Sequence, residues 1–142
     1  MKKFLSMFLT LLMLCCMIIP TFAAETTAES RSSNYFSNYG ATLSAEEDGV
    51  IKIVFSTTGM QISNSIGVAT YEVQRLNDNG VWENVSGLLN GQTGSNVLSY
   101  TFSRYFQGVP GETYRAEVVF FCSRNDGSEH KTYTSGRITA KR

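Results

Sequence analysis

The hydrophobic positions of this chain form two kinds of pattern. One is a nearly unbroken apolar run, Phe4 to Ile19, in which Ser6 and Thr10 are the only hydroxyl residues. The other is a series of short stretches in which apolar and polar residues alternate, as in "VIKIVFS" and "TYRAEVVFFC". Alternation with a period of two is typical of half-buried β-strands, and no window after the apolar run keeps a helical period. The pattern therefore predicts an all-β domain behind an apolar N-terminal segment.

The N-terminal segment has the features of a secretory signal peptide. Lys2 and Lys3 precede the apolar run, and the small residues Thr21 and Ala23 follow it. The run is shorter than the roughly 20 residues that a membrane-spanning helix needs. We therefore expect residues 1–23 to be a helical signal peptide that is cleaved near Ala23, with cleavage after Ala24 as the alternative. The sequence predicts a secreted, extracellular protein with no membrane attachment after cleavage.

The remaining chain is expected to hold a leader and one domain. Residues 24–40 are polar and rich in serine, which is typical of a flexible leader that becomes ordered where its aromatic residues begin. Residues 41–142 are predicted to form an antiparallel β-sandwich of about seven strands. The predicted strands are 41–45, 50–56, 69–76, 81–85, 96–103, 113–122 and 132–140. The predicted connections include a loop at 57–67, a hairpin at Asn77–Gly80 and a turn at 124–131.

The stretch "GVPGETYRAEVVFF" resembles the tyrosine corner of sandwich domains. Pro110 and Gly111 make a turn, and Tyr114 opens the alternating strand that follows. In such a corner the tyrosine hydroxyl bonds to backbone a few residues upstream. Together with "TYEVQRLNDNGVWENV", this stretch resembles a fibronectin type III or related immunoglobulin-like domain, although Gly108 stands where that pattern usually has leucine. The resemblance implies an immunoglobulin-like (fibronectin type III-like) topology and a structural role for Pro110, Gly111 and Tyr114.

Taken whole, the chain also resembles a family of small secreted proteins of Gram-positive bacteria whose function is unassigned. The stretches that carry this resemblance are the lysines at the start, "RSSNYFSNYGATLSAEEDGVIKIVFS", "SIG" and "GETYRAEVVFF". It implies a location and a fold. It assigns no catalytic or binding residue.

Charge and cysteine content narrow the classes of partner. The chain has 12 Lys and Arg and 12 Asp and Glu, so loss of Lys2 and Lys3 leaves 10 − 12 = −2. Nucleic-acid-binding proteins carry a basic stripe, and this chain has none, so no nucleic-acid partner is expected. Cys15 and Cys16 lie in the apolar run, which leaves Cys122 alone. We therefore expect no internal disulfide and a buried Cys122 that packs as a small hydrophobic residue.

The sequence offers little support for catalysis. His130 is the only histidine and lies in a predicted turn, so a Ser-His-Asp arrangement or a histidine-rich metal site is disfavoured. Glu46, Glu47 and Asp48 are adjacent acids before a strand and are expected to be a solvated corner. We therefore predict no enzyme activity, no catalytic residue, no metal and no cofactor. A small secreted hydrolase is the least favoured interpretation.

The remaining candidates are aromatic side chains. Trp82, Tyr105 and Tyr133 could form a platform for a sugar ring, although ordinary packing at the edge of the core is the favoured interpretation. The sequence thus predicts a non-catalytic binding or extracellular interaction module whose partner is a protein or a cell-wall glycan. A carbohydrate- or cell-wall-binding module would need a coplanar strip of exposed aromatic rings. A protein-interaction module would instead show an apolar patch or an unpaired edge strand.

Overall fold

The computed structural model describes residues 33–142, so the predicted signal peptide 1–23 and most of the predicted leader lie outside the described residues. The described chain is all-β, and its eight strands form one curled antiparallel sheet. The strands are β1 (Phe36–Ala45), β2 (Val50–Leu76), β3 (Trp82–Asn84), β4 (Leu89–Asn90), β5 (Thr93–Gln107), β6 (Thr113–Arg124), β7 (Gly127–Thr134) and β8 (Ile138–Thr139). A 3₁₀ turn, Glu47–Gly49, joins β1 to β2.

Strand β2 contributes to two layers because it bends. Its first arm, 50–59, lies between β1 and β5. Its second arm, 65–76, pairs with β6 on one side and, on the other, with the first residues of β5, then with β4 and then with β3. Strands β7 and β8 pair with β6. The sheet therefore curls into a first layer of β1, the first arm and residues 99–107 of β5, and a second layer of β7, β6, the second arm, β3, β4 and the first residues of β5.

The core lies between the two layers. It is filled by the side chains at every second position of each strand, which point inward. Ring contacts join the layers, with centroids 5.4 Å apart for Tyr39 and Phe120 and 5.7 Å apart for Phe106 and Tyr114. Burial of these alternating apolar side chains is the main stabilising contribution to such a fold. The buried hydrophobic residues are Phe36, Tyr39, Ala41, Ile51, Ile53, Phe55, Ile66, Val68, Tyr71, Val73, Tyr114, Ala116, Val118, Phe120, Cys122 and Ala140.

The prediction of a loop at 57–67 is wrong, because β2 continues through this segment. Thr57 and Ser63 are buried, and their hydroxyl groups donate hydrogen bonds to backbone carbonyl oxygens at 3.0 and 3.2 Å. A Cβ on Gly59 would lie 2.7 Å from the carbonyl oxygen of Gln61, so the tight bend requires glycine. Because these hydrogen bonds satisfy their hydroxyl groups, Thr57 and Ser63 can occupy core-facing positions of a strand. Their polarity interrupts the alternation of apolar residues, so the sequence resembled a loop.

The predicted turn at 124–131 is also wrong beyond its first residues. Strand β7 already begins at Gly127, and the predicted closing strand 132–140 is divided between the end of β7 and the separate short strand β8. The sequence "GSEHK" is polar because β7 is an edge strand. There the ammonium group of Lys131 pairs with the Glu129 carboxylate at 3.0 Å, so charged side chains fit an exposed strand.

The first strand starts earlier than the predicted domain boundary at Ala41. Strand β1 begins at Phe36 because Phe36 and Tyr39 are buried, with ring centroids 5.2 Å apart. The backbone N–H of Phe36 also donates to the hydroxyl of Ser33 at 2.7 Å. The last part of the predicted leader therefore belongs to the sheet.

The connection between β5 and β6 has the geometry of a tyrosine corner. Tyr114 is buried, and its hydroxyl accepts a hydrogen bond of 2.8 Å from the backbone N–H of Val109. A Cβ on Gly108 would lie 2.9 Å from the Tyr114 ring, which explains why glycine replaces the usual leucine here. Pro110 and Gly111, whose φ is +89°, complete the turn. The corner fixes the end of β5 against the start of β6.

Candidate functional site

The candidate site is the free edge of β5. Among the strands of residues 33–142, β5 pairs only with β2, so its other side carries backbone N–H and C=O groups with no strand beside them. The strand has 15 residues, and a shift in its register with β2 divides it near Leu98. The regular part, 99–107, is the longest straight stretch of this edge. Such an edge is a template for pairing with another chain.

The inward side of this edge is aromatic. Phe102 and Phe106 are half-buried at the rim of the core. The Phe102 ring stacks on Phe55 with centroids 4.8 Å apart, and the Phe106 ring lies against Tyr114. Tyr100 continues the row, with its ring centroid 5.8 Å from that of Phe102. The rings are therefore held in place by the core while part of each ring remains available at the open side of the sandwich.

Arg104 lies in the same inward row, between Phe102 and Phe106. It pairs in register with the buried Ile53, and its guanidinium carbon lies 5.2 Å from the Phe102 ring centroid. Its Nη1 donates a long hydrogen bond of 3.4 Å to the carbonyl oxygen of Ser103. Among residues 33–142, no carboxylate lies within ion-pair distance of Arg104. A half-buried guanidinium without a carboxylate partner can accept one from a ligand.

The effect of Arg104 is also visible at Tyr71 on the facing layer. Burial raises the pKa of Tyr71, and the positive charge of Arg104 and a side-chain hydrogen bond from it oppose part of this rise. Since Tyr71 is a core residue of β2, the guanidinium points toward the space between the layers. Arg104 is thus an inward-facing cation on an edge strand.

The outward side of β5 is polar but uncharged. The hydroxyl groups of Ser99 and Thr101 donate to hydroxyl groups on β2 at 3.1 and 3.4 Å. Tyr105 completes this side and has 66% of its surface exposed. Arg104 is therefore the only charged residue of the whole strand.

The structure places the predicted platform residues on three different strands and does not bring them into one flat surface. Trp82, on β3, is half-buried under the Arg115 guanidinium, whose carbon lies 4.3 Å from the ring centroid. Tyr105 is exposed on β5. Tyr133, on β7, packs edge-on against Phe120 with ring centroids 6.1 Å apart. Of the three rings, Tyr105 alone presents most of its surface to solvent.

A second concave region lies at the bend of β2 beside the β6–β7 turn. It is a shallow depression of about 220 Å³, and its polar groups largely satisfy one another. The Asn64 amide donates to Asn125 at 2.7 Å, and Arg124 pairs with Asp126 at 2.9 Å. The lining residues are Gln61, Ile62, Asn64, Arg124, Asn125 and Asp126. Because these groups bind each other, the depression offers a ligand little that is unpaired.

Among residues 33–142, His130 and Cys122 each have a defined neighbour. His130 lies on β7, not in a turn, and its exposed ring contacts Phe121 with centroids 4.9 Å apart. Cys122 is buried, as the sequence predicts, and its sulfur lies 3.1 Å from the hydroxyl of Ser63. Within residues 33–142, no three His, Cys, Asp or Glu side chains are placed to hold a metal ion.

Another polar cluster covers the outer face of the second layer. The amide nitrogen of Gln74 donates to Glu72 at 2.6 Å and to Glu117 at 3.0 Å, while its oxygen accepts from Arg115 at 2.7 Å. Asn84 donates to the second oxygen of Glu72. Every member thus has a partner within the cluster, which favours a role in holding β2, β3 and β6 together.

The sequence analysis did not single out Arg104, although a signal was present. In "SYTFSRYFQ" the inward phase reads Tyr100, Phe102, Arg104 and Phe106, so one cation occupies an otherwise aromatic phase. A charged residue at a core-facing position of a strand indicates either a buried ion pair or a strand at the open edge of a sheet. Only the order of the strands shows which of the two applies.

Comparison with known proteins assigns no family to the chain: no protein-family model matches it, and no curated protein matches it. Residues 33–142 include no helix of the length and hydropathy required to cross a membrane.

Proposed function

We propose that this protein is a secreted, non-catalytic binding module that takes up an extended segment of a partner protein along the free edge of β5. The observation that carries the proposal is the unpaired regular stretch 99–107, backed by half-buried aromatic rings. A segment added to such an edge gains main-chain hydrogen bonds, and pockets for alternate side chains provide specificity. Proteins usually protect long edge strands, so an unprotected one indicates use.

The fold that we propose for this module is immunoglobulin-like, of the fibronectin type III kind. Support comes from the order of the strands, β1–β2–β5 in one layer and β7–β6–β2 with β3 and β4 in the other. The hydrogen bond from Val109 to Tyr114 supports it further, since a tyrosine corner at this connection is a feature of these sandwiches. In this strand order β5 is an edge strand, and among the strands of residues 33–142 it pairs only with β2.

Carbohydrate binding through aromatic rings is the less favoured function. It would require adjacent exposed rings, whereas Trp82 is covered by Arg115 and Tyr133 packs against Phe120. Tyr105 is exposed but has no neighbouring exposed ring among the three predicted platform residues. A protein segment fits the edge better than a sugar does, because backbone groups are the main unsatisfied feature of β5.

Secretion is tested by the N-terminus of the mature protein. We expect mass spectrometry of protein from the culture medium to find a chain that begins at Ala24 or Glu25, because Thr21 and Ala23 occupy the small-residue positions before the cleavage site. An intact chain recovered from the membrane fraction would contradict secretion.

Binding along β5 is tested with a displayed library of random ten-residue peptides selected on residues 24–142. Those amides of 99–107 that point away from β2 should gain protection from hydrogen exchange when a selected peptide binds. The control is a pair of peptide isomers that carry N-methyl groups on alternate residues. One isomer should lose binding and the other should keep it, because only alternate peptide N–H groups face β5. Equal binding by both isomers, or protection at Asn64 and Asn125 instead of β5, would contradict edge addition.

A further inference from the structure

Resting on the proposed edge addition, we propose that the partner segment has the pattern apolar–polar–acidic–polar–apolar, with its central carboxylate paired to Arg104. The occupant is an extended stretch of another protein, and Arg104 is the residue that selects it. The two flanking apolar side chains lie against Phe102 and Phe106.

The spacing of this pattern follows from the geometry of paired strands. Side chains directly opposite each other in neighbouring strands lie about 4.5 to 5.5 Å apart at Cβ and point to the same face. The residue of the added strand that lies opposite Arg104 therefore points between the layers. Its neighbours two positions away lie opposite Phe102 and Phe106, whichever direction the segment runs. The positions between them lie on the outer face, beside Ser103 and Tyr105.

The acidic residue follows from the surroundings of Arg104. Arg104 contacts the Phe102 ring, the Ser103 carbonyl oxygen and the Tyr71 side chain, and no carboxylate among residues 33–142 is within ion-pair distance. Arg75, another partly exposed arginine, differs in this respect, because it lies 3.6 Å from Glu83 and 4.0 Å from Glu112. A carboxylate that forms two parallel bonds with a guanidinium makes one of the stronger hydrogen-bonded pairs in proteins. Partial exclusion of water by Phe102 and Phe106 strengthens it.

The apolar flanks follow from the rings. Phe102 and Phe106 are held by Phe55 and Tyr114 and are only half-buried, so part of each ring is in contact with water when the edge is free. An apolar side chain placed over each ring removes this surface from water, and aromatic residues pair well across strands with β-branched ones. Valine or isoleucine is therefore the best match at both flanks.

A second copy of this chain fits the edge less well. Two β5 strands paired with each other would bring Arg104 opposite a residue of the same strand, and β5 has no acidic residue from Thr93 to Gln107. Such a pair would leave both guanidinium groups without a carboxylate. The complementary charge must therefore come from a different segment.

The experiment compares three nine-residue peptides with the central sequence Val-Thr-X-Thr-Val, in which X is Glu, Gln or Lys. Binding to residues 24–142 is measured by isothermal titration calorimetry, and the site is mapped by amide shifts of 99–107. We expect the Glu peptide to bind about ten- to a hundredfold more tightly than the Gln peptide, because a hydrogen bond to a charged group is replaced by a neutral one. The Lys peptide should bind most weakly.

The matched variants are Arg104→Glu, Arg104→Gln and Arg137→Glu. Arg104→Glu should reverse the order of the Glu and Lys peptides, and Arg104→Gln should remove the preference. Arg137→Glu makes the same charge change at an exposed position outside the edge and should keep the wild-type order. Circular dichroism checks that each variant is folded. If Arg104→Glu does not fold, Arg104→Gln still decides, since it introduces no opposite charge.

The outcomes separate this inference from the proposed function. Equal affinity of all three peptides, with shifts still mapped to β5, would overturn the role of Arg104 and leave edge addition in place. No shift at 99–107 with any peptide selected or designed would overturn both. Concentration-dependent dimerisation in ultracentrifugation, with the same β5 amides protected in the dimer, would assign the edge to a second copy and overturn the acidic partner.

Discussion

Strands β5 and β7 are both edge strands, but they differ in the number of their charged residues and in how these are paired. Strand β7 has 8 residues, and three adjacent ones, Glu129, His130 and Lys131, are ionisable. The Glu129 carboxylate accepts a hydrogen bond from the Ser33 hydroxyl and pairs with Lys131. Strand β5 has 15 residues and one charge, Arg104, which faces inward. One edge thus carries charges that are already paired, whereas the other keeps a single charge without a carboxylate partner among the described residues.

This difference shows how one sheet can disfavour the docking of another strand at one edge and permit it at a second edge. Paired charges along β7 would have to be desolvated before another strand could dock, and this cost discourages pairing. Along β5 the outward hydroxyl groups cost little to cover, and the inward aromatic rings gain from being covered. Arg104 then makes docking conditional, because burying its charge without a carboxylate is unfavourable. Under the proposed edge addition, β5 would therefore select segments that carry a carboxylate.

Removal of an aromatic ring beside β5 should lower the stability of the domain more than removal of one on β7. Tyr114 anchors the end of β5, and its ring is fully packed between Phe106 and the corner backbone. We expect Tyr114→Ala to lower the free energy of unfolding by about 3 to 5 kcal/mol, because truncating a buried aromatic residue leaves a cavity. Tyr114→Phe should cost roughly 1 kcal/mol through loss of one hydrogen bond. Urea unfolding measures both.

The matched variant on the other edge is Tyr133→Ala. The Tyr133 ring is only half-buried against Tyr39 and Phe120, so its removal should cost about 2 kcal/mol. A Tyr114→Ala protein as stable as the parent would show that the corner is not structural. A larger loss for Tyr133→Ala than for Tyr114→Ala would reverse the comparison of the two edges.

The sequence predicted the inward phase of the core strands well because burial there is decided by apolar residues at every second position. Ile51, Ile53 and Phe55 are all buried as their alternation predicts. The hairpin at Asn77–Gly80 is confirmed as well: the Asn77 N–H donates to the Val81 carbonyl oxygen at 2.9 Å, and Gly80 has a φ of +76°. Local turn chemistry and strong periodicity are properties that a single sequence contains.

The features that sequence reasoning missed depend on neighbours that a sequence does not specify. Strand β7 resembled a turn in the sequence because it is polar, and its charges Glu129 and Lys131 pair with each other along the strand. Residues 57–67 resembled a loop because Thr57 and Ser63 are buried with satisfied hydroxyl groups. The open side of β5 follows from strand order, which is set by the curl of the whole sheet. Arg104 could be seen as an anomaly in the sequence, but its lack of a carboxylate partner could not.

The rate of thiol labelling compares the solvent accessibility of a position beside β7 with that of a position on β5. Cys122 lies on β6 directly opposite Glu129 of β7 and is completely buried. A water-soluble thiol reagent should therefore label it slowly until the domain unfolds. Thr101→Cys in a Cys122→Ala background places a thiol on the exposed face of β5 and should react quickly. Cys122→Ala itself should cost on the order of 1 kcal/mol from lost packing. Rapid labelling of native Cys122 would mean that the β7 side opens readily.

The smallest expected effect is a response to acid at one edge and not at the other. Burial tends to raise the pKa of Glu129, but the hydrogen bond from Ser33 and the interaction with Lys131 outweigh this and hold its pKa below the ordinary glutamate range. Near the β6–β7 turn, the hydrogen bond from Arg124 lowers the pKa of Asp126. A carboxyl group with a lowered pKa in the folded state stabilises the fold above its unfolded pKa. This contribution is lost as the pH falls through the folded value.

The edge at β7 should therefore loosen below about pH 4, while β5, which has no acidic residue, should not respond directly. The change in overall stability will be small, because exposed ion pairs contribute little. Amide resonances recorded from pH 6 to pH 3 should shift at 124–134 and stay in place at 99–107. Glu129→Gln should remove most of the shift around residue 129 and leave the Asp126 response. If the amides of 99–107 moved first, acid sensitivity would belong to the open edge, and the contrast between the two strands would have to be drawn from something other than their paired charges.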